Sequence, residues 1–291
     1  MSVIYLFPGQ GSQFKGMGKG LFEAFPDLTQ QADRQLGYSI KELCLEDRND
    51  QLRQTQFTQP ALYVVNALTY LGRKRDGAGE PDFLAGHSLG EYSALFASGA
   101  FDFITGLRLV QKRGELMAQV TGGGMAAIVG MKPSDISALL ENFGFDNIDV
   151  ANFNSDRQTV ISGPKADIEE AMPIFKESGA TPIALKVSGA FHSRMMQPTQ
   201  EAFGNFLKDF KFSEPRKPVI ANATAERYSG NNVGGLLVQQ LASPVRWTET
   251  IRYFLGQSEP KFEEVGPGKV LTGLLKDIQK DKPSETPAPV A

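Results

Sequence analysis

The sequence predicts an α/β protein in two parts: a large domain on a mostly parallel sheet, and a small βαββαβ domain inserted into it. Three observations carry this. The short apolar run Asp82-Phe83-Leu84-Ala85 leads into Gly86-His87-Ser88-Leu89-Gly90-Glu91, and the helix-forming run Tyr92-Ser93-Ala94-Leu95-Phe96-Ala97 leads out. An opening run, Ser2-Val3-Ile4-Tyr5-Leu6-Phe7, stops at Pro8-Gly9 and reads as a buried first strand followed by a tight loop. After Gly122-Gly123-Gly124 the chain takes up a new rhythm of short strands and helices.

The first of these is the nucleophile elbow of α/β-hydrolase-like sheets, where a strand turns sharply into a helix with a serine at the apex. A glycine on each side is needed because backbone approaches backbone there, and a Cβ would clash. The helix that follows presents free N–H groups, so the Leu89 amide can stabilise an oxyanion. The alternative is a plain glycine turn with a capping serine. The loop Pro8-Gly9-Gln10-Gly11-Ser12-Gln13 leaves the C-terminal end of a strand, where open α/β sheets bind ligands. It lacks the Lys-Ser/Thr of a P-loop.

In chain order, helices fill 19–43, and a buried helix starts with Pro60 in its first turn and runs through Ala61-Leu62-Tyr63-Val64-Val65. The elbow comes next, and then a helix over 102–120 that carries Met117 among its apolar positions and Arg113 beside Gly114. Such an arginine is either a surface residue with a packed stem or an inward fork for a carboxylate. Strands at 125–130, 148–153, 158–162 and 181–187, with helices at 133–143 and 165–178, give the ferredoxin-like order βαββαβ. The small domain is therefore placed at 124–188, and the large one at 1–123 and 189–280. A helix over 194–210, a returning strand Pro218-Val219-Ile220-Ala221-Asn222, helices near 234–241 and 248–255, and a last strand and turn from Phe262 complete the large domain. The Pro-, Ser- and Thr-rich stretch 281–291 reads as a disordered tail.

Composition narrows the function. With 291 residues, 41% hydrophobic and 22% charged, the chain can bury a large core, and no apolar run approaches the roughly 18 residues of a membrane helix. The N-terminus lacks the features of a signal peptide. A net charge of −3 gives no reason to expect nucleic-acid binding. The single cysteine, Cys44, rules out an internal disulfide and a cysteine-rich metal site, and fits a reducing cytoplasm with the thiol as a buried small hydrophobe. Neither a metal nor a cofactor is expected. Only two histidines are present, His87 and His192. As the neighbour of Ser88, His87 should point away from it, which leaves His192 as the candidate base.

Together these signals make the chain resemble the malonyl-CoA:acyl carrier protein transacylases, acyltransferases of fatty-acid and polyketide synthesis. The resemblance is carried by Phe7-Pro8-Gly9-Gln10-Gly11-Ser12-Gln13, Gly86-His87-Ser88-Leu89-Gly90-Glu91, Gln111-Lys112-Arg113-Gly114, Gly189-Ala190-Phe191-His192-Ser193 and Glu264-Val265-Gly266-Pro267-Gly268, spread over nearly the whole chain. It implies ping-pong transfer of malonyl from malonyl-CoA to an acyl carrier protein, with Ser88 as nucleophile and His192 as general base and acid. Gln10 and the Leu89 N–H would hold the oxyanion, and Arg113 the malonyl carboxylate. A main-chain carbonyl of the Val238-Gln239-Gln240-Leu241 stretch, assigned to Gln240, would orient His192. Phe191 should crowd an α-methyl group and favour malonyl over methylmalonyl. The resemblance also implies that Met117 and Asn154 belong to the substrate site, with Asn152 near it, although a turn role for the asparagines is equally open. Carrier proteins are acidic, so basic residues such as Lys186 and Arg194 are expected near the entrance. The enzyme is expected to be monomeric. Two rival functions remain: an acyl hydrolase on the same scaffold, which would tend to lack Arg113, and a non-catalytic docking module.

Overall fold

The computed structural model of the chain describes residues 1–187 and 189–280, so the tail expected at 281–291 lies outside the described residues. Strand β1 (Ser2–Phe7) opens the fold, followed by the short helices α1 (Leu21–Ala24), α2 (Pro26–Leu36) and α3 (Ile40–Glu46). The long helix α4 (Thr55–Arg75) comes next, then β2 (Phe83–Gly86), α5 (Gly90–Ser98) and α6 (Phe103–Ala118). The middle of the chain is β3 (Gly123–Val129), α7 (Pro133–Asn142), β4 (Asp149–Ser155), β5 (Gln158–Pro164), α8 (Lys165–Glu177) and β6 (Thr181–Ala184). The chain closes with α9 (Gln197–Leu207), α10 (Val233–Gln240), α11 (Trp247–Leu255), β7 (Pro260–Glu264) and α12 (Val270–Lys280).

This is the α/β fold read from the sequence. The large sheet is parallel, in the order β2-β1-β7. Both its faces are covered, as a parallel sheet requires. Along β1 the side chains alternate: Ile4 and Leu6 pack with α11 and α12 through Trp247, Phe254 and Leu275, while Tyr5 and Phe7 join the larger core with α4, α5 and α6. The small sheet is antiparallel, in the order β4-β5-β3-β6, which is the ferredoxin-like arrangement. The helices α7 and α8 bury Ile136, Leu140, Ile168 and Phe175 against its Ile128 and Ile161.

Three elements differ from the sequence expectation. The buried helix begins at Thr55, so Pro60 stands inside it rather than in its first turn. The returning segment at 218–222 makes isolated bridges, Leu84 with Val219 and Ile220 with Arg227, in place of a full strand. The helix expected from 194 begins as a 3₁₀ turn at Arg194–Met196 before α9.

Candidate active site

The elbow forms because two close approaches leave no room for side chains. A Cβ on Gly90 would lie 2.0 Å from the Phe7 carbonyl oxygen, and one on Gly9 would lie 2.3 Å from that of His87. The loop after β1 thus seats directly on the elbow, and His87 N–H donates to Phe7 O at 3.0 Å. Ser88 takes a left-handed conformation at φ 51°, and so does His192 at φ 58°. Such backbone costs on the order of 1–3 kcal/mol for a non-glycine residue and persists where surroundings enforce it.

The site's two strained residues meet. Ser88 Oγ lies 2.8 Å from His192 Nε2. On its other side the imidazole faces two carbonyls, Gln240 O at 2.8 Å and Ser243 O at 3.2 Å. Carbonyls only accept, so Nδ1 carries the proton and Nε2 is left as the acceptor for the serine hydroxyl. Burial and the neighbouring Arg113 charge push the imidazole down to about 3, so the ring is neutral at pH 7.

Arg113 is 1% exposed, and its Nη2 donates to Ser88 Oγ at 3.1 Å and to Gln240 Oε1 at 2.9 Å. Its guanidinium lies 5.6 Å from the centre of the Tyr92 ring. No ion pair engages it among the described residues, and its buried Nε has no hydrogen-bond partner. Burial pushes its pKa down from the usual value.

The remaining sequence-predicted residues take definite places. His87 does point away from Ser88: its Nε2 bonds Asn154 Oδ1 at 2.8 Å, and its ring lies edge-on to Trp247. The Asn154 amide donates to Gln158 at 3.1 Å, so both ends of that side chain are engaged. Asn152 is buried in β4. Gln10 is half-buried and directs its amide at Thr55 Oγ1 at 3.5 Å. Leu89 caps α5, where the first N–H groups have no intrahelical partner. Phe191 and Met117 are buried, the latter accepting from Gln59 at its sulfur. Arg194 holds Asp149 through the Nε–Nη2 edge of its guanidinium, and Cys44 is buried with its thiol pushed up by desolvation.

The hydrogen bonds that tie Asn222, Glu91 and the Gln240 side chain into the site had no signal in the sequence. Asn222 accepts the Ser88 N–H at 2.7 Å and donates to Gly86 O at 2.7 Å. Glu91 is fully buried and accepts from Asn222 N–H and Tyr228 O–H, each at 2.8 Å. The Gln240 side chain donates to both Ser88 O and Glu91. These partners lie more than 130 residues apart in the chain, beyond the reach of any local pattern.

A half-buried serine on an elbow, paired with a buried imidazole and with a cation beside the hydroxyl, is equipped for acyl transfer by a covalent route. The comparisons with known proteins agree. Residues 4–290 match the acyl transferase domain family, and the chain belongs to it. It is 53% identical over 283 residues to the polyketide biosynthesis malonyl CoA-acyl carrier protein transacylase BaeC of Bacillus velezensis, covering 96% of this chain and 97% of that one. A crystal structure of malonyl CoA-acyl carrier protein transacylase from Burkholderia pseudomallei superposes with TM-score 0.95 at 50% identity, covering 98% of this chain and 100% of that one. A structure of the malonyl-transacylase PlMCAT in complex with AntF, a type II PKS acyl-carrier protein, gives 0.91 at 35% identity, covering 96% and 94%. Among the described residues no helix is long and apolar enough to cross a membrane.

Proposed function

We propose that the protein transfers a malonyl group from malonyl-CoA to the phosphopantetheine thiol of an acyl carrier protein, through a malonyl ester on Ser88. The observation that carries this reading is the buried, unpaired Arg113 beside the serine hydroxyl. A buried cation is costly until an anion reaches it. A malonyl thioester brings a carboxylate on a short acyl arm, and an acetyl thioester does not. Arginine keeps its charge in such a site and presents a planar fork to the carboxylate.

In the first half-reaction, Ser88 Oγ attacks the thioester carbonyl and its proton passes to His192 Nε2. The Leu89 N–H and Gln10 hold the oxyanion. Collapse breaks the C–S bond, and the departing coenzyme A sulfur takes the proton from His192. In the second half-reaction, the carrier thiol gives its proton to His192 and attacks the ester carbonyl; the C–O bond breaks and Ser88 regains the proton. The Gln240 carbonyl keeps the imidazole in the right tautomer throughout. A substrate carboxylate on Arg113 also offsets the charge that depresses His192, so malonyl binding makes the base more basic.

Phe191 and Met117 line the acyl pocket in this reading, and Asn154 steadies its wall through His87. The catalytic domain is 1–123 with 189–280, and 124–188 is the small domain beside the entrance. One chain supplies every group, which supports a monomer, and a free buried thiol supports the cytoplasm. The relative at 53% identity favours a polyketide carrier as acceptor. Nucleic acid has no part in the reaction.

The test is transfer itself. Incubated with radiolabelled malonyl-CoA and a holo-acyl carrier protein, the enzyme should move label onto the carrier, and Ser88→Ala should not. Release of free malonate with an unlabelled carrier would contradict the reading and favour a hydrolase; no turnover and no label on the enzyme would favour a docking module.

A further inference from the structure

The carboxylate of Glu91 is left unused by this mechanism, yet it sits at the junction of hydrogen bonds that lead to Ser88, Arg113 and His192. It lies three residues after Ser88, on the first turn of α5, and is fully buried. One oxygen, Oε1, accepts from Asn222 N–H and Tyr228 O–H. The other, Oε2, accepts from Gln240 Nε2. Asn222 in turn accepts the Ser88 N–H. Gln240 reaches Ser88 O with the same nitrogen at 2.8 Å, Arg113 Nη2 with its Oε1 at 2.9 Å, and His192 with its main-chain carbonyl.

We propose that Glu91 is a positioning residue that fixes the orientation of the Gln240 amide and thereby aims the Arg113 fork at a substrate carboxylate. The inference rests on the malonyl-transfer reading above. Its basis is donor and acceptor accounting. An ionised carboxylate only accepts, so the Gln240 amide must turn its NH₂ toward Glu91. That leaves Oε1, and nothing else, facing Arg113, which only donates. With a glutamine at position 91 the constraint is lost. Its oxygen would stay on the Asn222 N–H, which can only donate, so its NH₂ would confront the Gln240 NH₂, and relieving that clash by a Gln240 amide flip would set a donor of Gln240 against a donor of Arg113. Either way a hydrogen bond in the Arg113 chain breaks, and the fork loses the contact that holds Nη2 beside Ser88. Burial pushes the Glu91 carboxyl up to about 7, opposed by its three donors and the Arg113 charge, so the ionised form is available above neutral pH. Other titratable groups near it are Tyr228 and Tyr92, both pushed up by burial, and His192.

The experiment mixes wild type, Glu91→Gln and Tyr228→Phe at pH 8 with equimolar malonyl-CoA and acetyl-CoA and reads the acyl-enzyme by intact mass. Glu91→Gln should still be acylated at Ser88, with the malonyl-to-acetyl ratio down about tenfold, the worth of one charge-assisted hydrogen bond. The loss should appear as a higher KM for malonyl-CoA, with the acetyl KM unchanged. Tyr228→Phe removes another bond to the same carboxylate but leaves the Gln240 amide constrained, so it should lower thermal stability and keep the wild-type ratio. A purely structural role would move both variants alike in stability and neither in ratio. A folded Glu91→Gln enzyme with the wild-type ratio overturns the proposal. If Glu91→Gln does not fold, Gln240→Leu severs the same link and must lower the ratio; an unchanged ratio there overturns it too. Wild type that takes up no malonyl defeats the transfer reading, and this inference with it.

Discussion

The two sheets of this chain differ in what they bury. The antiparallel sheet closes over an apolar cluster, Ile128, Ile136, Ile161, Ile168 and Phe175 among its members, and among the described residues no charged side chain is buried there. The ends of the parallel strands instead carry buried charge: Glu91 follows β2, and Arg113 reaches in from α6. Between them stand Asn222 and Gln240 as brokers of hydrogen bonds. Burying a cation and a carboxylate stabilises a fold less than apolar packing of the same volume would. Their presence at the strand ends, where α/β sheets bind ligands, marks the place where stability is given up for chemistry.

That contrast can be broken by substitution, and the effects should fall in order. Arg113→Met should reduce malonyl acylation about a hundredfold or more, since it removes a charge-assisted fork, and should shift preference toward acetyl. The same change removes the positive charge beside His192, so the imidazole pKa should rise from about 3, a shift that an NMR titration reads directly. Next comes Phe175→Ala in the small sheet's core, which should cost about 3–5 kcal/mol of stability in denaturant melts. It should leave the acylation rate per folded molecule unchanged; a rate falling with stability would mean that the small sheet shapes the site. Phe191→Ser should raise methylmalonyl transfer about tenfold in competition assays, the worth of relieving one methyl-sized clash. The smallest effect belongs to Asn154→Ala. It frees His87 and should cost about 1 kcal/mol of stability with little change in kcat.

Legibility in the sequence followed the range of the interactions. The elbow and the βαββαβ order show through because strand–turn–helix and strand alternation are local patterns. The scarcity of histidine singled out His192 without any knowledge of the fold. The start of α4 was hidden because Thr55-Gln56-Phe57-Thr58-Gln59 carries little helical signal of its own and is held by burial of Thr55, Thr58 and Gln59. The segment at 218–222 reads as apolar and extended, but its backbone bonds only to Leu84 on the β2 side and turns back on itself at Arg227. The Glu91 network was invisible for a different reason. A buried carboxylate beside glycine and tyrosine looks like an ordinary surface residue on a helix's first turn, and only the folded chain brings Asn222, Tyr228 and Gln240 to it.

Transfer through a malonyl ester on Ser88 is tested most directly by the identity of the acylated atom. Wild type and Ser88→Ala would each be mixed briefly with malonyl-CoA, quenched in acid, weighed intact and mapped by peptide. Wild type should carry a single malonyl adduct, located on Ser88, and Ser88→Ala none. An adduct that survives in Ser88→Ala, or maps to another residue, would contradict that route.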